Sequence, residues 1–301
     1  MDWLILIFVV PLVLIPLVFL TGFAGCEFHH GTVSGNGNGA QPAAPSDLVA
    51  TPVSSSEIDL TWTDNATNTT AFRIDRSENG ATPVPIPASV SPGMQQAFAD
   101  TGLNAATSYE YQVFAKVVDQ ESDGSDKKTA ATFPEAYNVP LTTDDPGLEG
   151  RTIVQRIDAG HITSAGAKVR LTLRGSTAGN LVINKVTISQ PATAGHAWDS
   201  AAVPIEVHFN NGQSGVTIPA NATQANAAVS DVTNYNLVLG QDLFIAFDIS
   251  TTDGSARRAT MPGPTQYFKA NTAEAAVQIR SPNYQTFAGR VSIIDKIEVV
   301  P

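Results

Sequence analysis

The sequence predicts an all-β protein, and three observations carry that prediction. Short runs alternate apolar and polar residues along most of the chain, the period of two of a half-buried strand. Glycine and proline, 23 and 19 of the 301 residues, break these runs at close intervals. The C-terminal half offers no stretch with three turns of helical spacing and sound caps. At about 100–200 residues per domain, the length allows two domains once a terminal segment is set aside. Lys plus Arg is 17 against 28 for Asp plus Glu, a net charge of −11, which excludes a basic nucleic-acid footprint. With 15% charged and 43% apolar residues, the composition is neither that of a disordered chain nor of a many-pass membrane protein. A single cysteine excludes a disulfide framework and a thiolate zinc cluster, and no cofactor or metal is expected.

Residues 3–20, WLILIFVVPLVLIPLVFL, carry no charge and are interrupted only by Pro11 and Pro16. At 1.5 Å per residue they reach about 27 Å of the roughly 30 Å hydrocarbon core. Small residues then lead to Cys26 in Thr21-Gly22-Phe23-Ala24-Gly25-Cys26. This resembles a bacterial lipobox, which implies acylation at Cys26 after cleavage. Phe23 stands where that pattern prefers leucine, and Met1-Asp2 supplies no basic n-region. The first basic side chain is Arg73, so charge gives no orientation signal. Lipoprotein signal, retained anchor and ordinary secretion are the three readings. All of them put the chain beyond about residue 30 outside the cytoplasm, and the first two tether it to a membrane at the cell surface or envelope.

Residues 1–26 are thus a signal peptide or membrane anchor, and residues 27–44, rich in Gly, Asn, Ala and Pro, a flexible linker. Strand signals follow. Ile58, Leu60 and Trp62 alternate with Asp59, Thr61 and Thr63, as Phe72 and Ile74 do with Arg73 and Asp75. Tyr109, Tyr111, Val113, Ala115 and Val117 share one face of a longer run. Many short antiparallel strands point to a sandwich. Ala44-Pro45-Ser46-Asp47-Leu48, Leu60-Thr61-Trp62-Thr63-Asp64-Asn65 and Thr107-Ser108-Tyr109-Glu110-Tyr111 together resemble a bacterial fibronectin type III domain over residues 45–134. That resemblance implies a core tryptophan at Trp62 and a corner hydrogen bond at Tyr109. No Arg-Gly-Asp triplet occurs.

Residues 135–149 lack alternation and read as a second linker. In residues 150–301, Val169, Leu171 and Leu173 alternate with charged and polar neighbours, as do Ile205, Val207 and Phe209. Further strands are expected around 151–158, 180–190, 214–218, 242–249, 266–270, 275–280 and 290–300. This number of strands suits a jelly-roll-like β-sandwich whose first and last strands are adjacent in one sheet. Its texture resembles jelly-roll modules of carbohydrate-binding, phage tail and secreted bacterial proteins.

No catalytic signature occurs: no metalloprotease His-Glu-x-x-His, phosphate loop or dinucleotide fingerprint. Gly212-Gln213-Ser214-Gly215 falls one residue short of a nucleophile elbow. The spacing of His161, His196 and His208 is uninformative, and Asp248 and Asp253, expected to flank a turn, do not define a calcium site. A non-enzymatic protein is therefore expected. Binding rests on aromatics in polar loops, because a sugar's apolar face stacks on a ring while its hydroxyls need polar partners. The candidate ligand-binding residues are His196, Trp198 and Asp199, then Tyr267, Tyr284 and Phe287; each ring can equally cap a core from its loop. Two functions follow. One is a surface adhesion protein whose C-terminal sandwich binds a glycan or surface protein. The other is a structural subunit of a cell envelope or phage particle that makes protein contacts.

Overall fold

The computed structural model describes residues 40–87, 90, 93–223 and 226–301. The apolar run at 3–20 and Cys26 lie outside the described residues, as does most of the first linker. Among the described residues, no helix is long and apolar enough to cross a membrane. Residues Ala40–Pro301 form one compact unit.

Its first part holds β1 (Ser46–Pro52), β2 (Glu57–Thr63), β3 (Ala71–Glu78), β4 (Val84–Ile86), β5 (Gln95–Thr101), β6 (Ser108–Val117), β7 (Gln120–Glu121) and β8 (Lys128–Ala131). The second holds β9 (Glu135–Asn138), β10 (Thr143–Asp145), β11 (Arg151–Ile157), β12 (Gly166–Arg174), β13 (Leu181–Ser189), β14 (Ile205–Val207) and β15 (Val216–Ile218). It continues with β16 (Ala227–Val229), β17 (Thr233–Leu237), β18 (Leu243–Gly254), β19 (Ala256–Ala270), β20 (Gln285–Ser292) and β21 (Ile294–Val299).

In the first part, a three-stranded sheet β1-β2-β5 packs on a five-stranded sheet β4-β3-β6-β7, with β8 also on β6. The alternation in β2 and β6 buries Ile58, Leu60 and Trp62 against Tyr109, Tyr111, Val113 and Ala115. Trp62 meets Phe72 edge-on at 5.3 Å between centroids. The Asn104 amide donates to the Tyr109 hydroxyl at 2.9 Å, the expected corner bond. Asn79 and Gly80 both take positive φ, 49° and 76°, and turn the chain out of β3 as Asn-Gly pairs do.

The second part is a two-layer sandwich. One layer is an eight-stranded sheet, β10-β19-β11-β18-β13-β14 with β15 on β13 and β20 on β19; the other is a five-stranded sheet, β16-β12-β21-β9 with β17 on β12. The inward faces enclose the main core, including Ile153, Leu171, Ile188, Phe209, Ile245, Phe247 and Ile297. The strand expected first, β11, lies in the eight-stranded sheet and the last, β21, in the other, so those two are not adjacent; β21 instead pairs with β9, which precedes the expected domain. Ile293 makes the crossover from β20 in one sheet to β21 in the other. It is fully buried at a φ of 74°, where a β-branched residue is strained, and its amide and carbonyl are held by Arg257 and Arg174.

Two further expectations are corrected. Residues 135–149 are not a linker: they carry β9 and β10, and Ala136, Tyr137, Leu141 and Leu148 enter the main core. Alternation is weak there because both strands are short and Pro140 breaks the run between them. Residues 275–280 form no strand; they lie in a segment, 271–284, that straps the outer face of the eight-stranded sheet.

Candidate functional site

Because strand residues alternate between faces, β11, β18 and β19 turn Val154, Phe244, Ala246 and Tyr267 away from the main core. The strap covers them with Ala275 and Tyr284, and Trp198 packs alongside from the loop after β13. Arg280, 1% exposed, fastens the strap. Its guanidinium donates to the carbonyls of Glu274 (3.1 Å), Ala275 (3.0 Å) and Trp198 and to the Ser200 hydroxyl (3.1 Å). Asp248, buried in β18, accepts from the Thr152 hydroxyl at 2.6 Å and the Ala275 amide at 3.0 Å. Burial pushes its carboxyl above the usual range despite those bonds. Burial acts the same way on Glu274, but there donors from Ser281 and Tyr284 outweigh it and hold the carboxyl low.

Four of the six sequence-predicted ligand residues meet here as one stack. Trp198 lies parallel to His196 at 5.0 Å and to Tyr284 at 5.2 Å, with Tyr267 tilted against it at 6.0 Å. Its Nε1 donates to the Ser281 carbonyl at 3.2 Å. The indole is thus already stacked on two rings, His196 and Tyr284, as part of the packed face. The outward element of the stack is His196, whose side chain is 42% exposed. Asp199, 3% exposed, is occupied by the amides of His196 and Arg280, both at 2.8 Å. Phe287 lies elsewhere, exposed on β20 and stacked on Phe268 at 4.9 Å. Arg280 and Glu274 had no sequence signal, and Asp248 stood out in the sequence only as one of two carboxylates weighed for calcium, not as a buried anchor of the strap.

The three histidines do not converge. His161 pairs with Asp158 at 2.8 Å and His208 with Glu206 at 3.9 Å, each within its own segment. Asp248 and Asp253 lie along β18 rather than flanking a turn. Among the described residues, no group of three or more His, Cys, Asp or Glu can hold a metal ion.

A second constellation, unseen in the sequence, joins the two sandwiches. Glu298 of β21, 1% exposed, accepts from the Ser55 amide between β1 and β2 at 2.8 Å. It pairs with Arg170 at 2.6 Å and Lys296 at 2.8 Å. Arg170 also donates to the Val53 carbonyl at 2.6 Å and lies over the Phe133 ring. The Lys296 ammonium and the Glu135 carboxylate both bond the Ser55 hydroxyl at 2.8 Å. Burial opposes ionisation of Glu298, yet the donors from Lys296, Ser55 and Arg170 win and hold its pKa down to about 2. Beside this joint lies a cleft of about 750 Å³, with Glu57, Asn138, Arg174 and Lys296 in its walls.

No curated protein matches the chain. Among solved structures, it is similar to a Fn3-like protein from Clostridium thermocellum at 25% identity, covering 31% of this chain and 95% of that one with a TM-score of 0.26. A structure described as a myokine is 20% identical over 31% of this chain and 99% of its own, with a TM-score of 0.27. A two-domain fibronectin type III segment of chicken tenascin is 12% identical over 81% of this chain and 98% of its own, also at 0.27. Residues 43–130 match the family model of the fibronectin type III domain, so the β1–β8 sandwich is a domain of that family.

Proposed function

We propose that the chain is a non-enzymatic, extracytoplasmic binding protein in which the fibronectin type III domain is a stiff spacer and the second sandwich, of jelly-roll type, bears the ligand surface. The N-terminal apolar segment, with Cys26 as a lipid attachment point, tethers it to a membrane. A binding or spacer role is the general behaviour of fibronectin type III domains. The observation that carries the stiffness is the Glu298 joint, a buried carboxylate shared between Ser55 of one sandwich and Arg170 and Lys296 of the other. A flexible array of independent modules has no use for a charge buried at the junction, because burying it is costly unless the geometry is kept.

Scanning calorimetry tests the spacer role. One cooperative transition for both sandwiches is expected, and two separate transitions in the wild type would contradict it. The intact mass of the membrane-extracted protein tests the tether, since acylation at Cys26, cleavage elsewhere and a retained segment give three different masses.

A further inference from the structure

We propose that a slot at one edge of the second sandwich docks an extended, uncharged peptide segment carrying branched aliphatic side chains. The inference rests on the second sandwich being the ligand-bearing part. The slot opens where the two sheets part: β14 ends the eight-stranded sheet, and β17 lies across from it in the other. It encloses about 460 Å³, with Ile188, Ala202, Val203, Ile205, Tyr235 and Val238 supplying the apolar lining. That volume is within the range of ligand pockets, about 300–1,000 Å³.

Three features specify the occupant. First, no charged residue lines the slot, although the chain carries a net charge of −11. An ion entering it would lose hydration without meeting a counter-charge. Second, Val203 and Ile205 in the lining are 71% and 43% exposed, branched aliphatic side chains left in water at the slot. The only aromatic in the lining, Tyr235, is 8% exposed, so no open ring face awaits a sugar. Third, the polar atoms are suited to a peptide backbone. Asn236 offers a side-chain amide, Gln190 and Gln241 are bonded to each other with the Gln190 carbonyl and the Gln241 amide nitrogen at the slot, and β14 is bonded to β13 alone among the described strands, leaving its other edge open for strand addition.

The test probes an array of end-blocked peptides, and in parallel a glycan array, with the labelled full chain held in lipid nanodiscs; empty nanodiscs are the background. Retention of uncharged peptides rich in Val, Ile and Leu is expected. Val203→Glu and Ile205→Lys, both at exposed positions, should each lose about tenfold or more of that signal. Met94→Lys, an exposed apolar site in the other sandwich, should leave it unchanged. The proposal is overturned if wild type shows no such preference, if the two slot variants retain it, or if the glycan signal is what those variants lose. The slot variants should keep a single calorimetric transition, so failure here is distinguishable from failure of the spacer reading.

Discussion

Replacing Glu298 by glutamine keeps the size of the side chain and removes its charge from the joint. The carboxylate has its pKa lowered from 4.5 to about 2, which at about 1.4 kcal/mol for each pH unit amounts to about 3 kcal/mol of preferential stabilisation in the folded state. Removing one partner of a buried pair costs about 3–5 kcal/mol in general. The lower end applies here, because Arg170 and Lys296 are 17% and 20% exposed and keep bonds to Val53 and Ser55. The expected loss is therefore about 2–3 kcal/mol, read by urea unfolding. A folded pKa below the unfolded one makes the contribution complete above about 4.5 and lost as pH falls toward about 2. The gap between wild type and Glu298→Gln should close across that window. A loss below about 0.5 kcal/mol at neutral pH, the range of an ordinary surface substitution, would refute the reasoning, as would a gap indifferent to acid.

Other perturbations separate the remaining parts of the molecule. Tyr109→Phe removes the corner bond to Asn104 and should destabilise by about 1 kcal/mol in urea, with no change in peptide-array binding. Arg280→Met leaves the carbonyls of Glu274, Ala275 and Trp198 without their donor, and should open residues 271–284 to protease before global unfolding. Trp198→Ala removes the centre of the aromatic stack and should cost about 2–3 kcal/mol, near the lower end for buried aromatics because the ring is partly exposed. Loss of glycan-array binding at full stability in that variant would instead assign the ring to a ligand.

The first sandwich was legible because its strands are half-buried on one side. Trp62, Tyr109 and Tyr111 announce the core by period alone, and the corner bond at Tyr109 is what the resemblance to fibronectin type III domains implies. The second was legible in part: β12 and β13 sit where the strands are expected, whereas β19, the longest strand, runs over Ala256–Ala270 although only 266–270 reads as strand, because Arg257, Arg258, Pro262, Gly263 and Pro264 break its period. Strands of three residues, such as β16, are too short to establish a period, and Thr233 and Asn234 dilute the apolar count of β17 although its burial alternates. The strap escaped because its covering residues are held by buried Arg280 and Asp248 rather than by a pattern. The candidate aromatics were found by type, yet whether a ring faces water or another ring is settled by distant segments, as Tyr284 over Trp198 illustrates. The Glu298 joint depends on a contact between residues 55 and 298, far beyond any local window.

The central claim is that the two sandwiches move as one body. Spin labels at Met94→Cys and Leu239→Cys, both exposed positions, in a Cys26→Ser background would report the distance between them directly. A single narrow distance distribution is predicted, broadening when Glu298→Ala is added. A broad distribution in the unaltered joint, or one that Glu298→Ala leaves as it was, would contradict the claim.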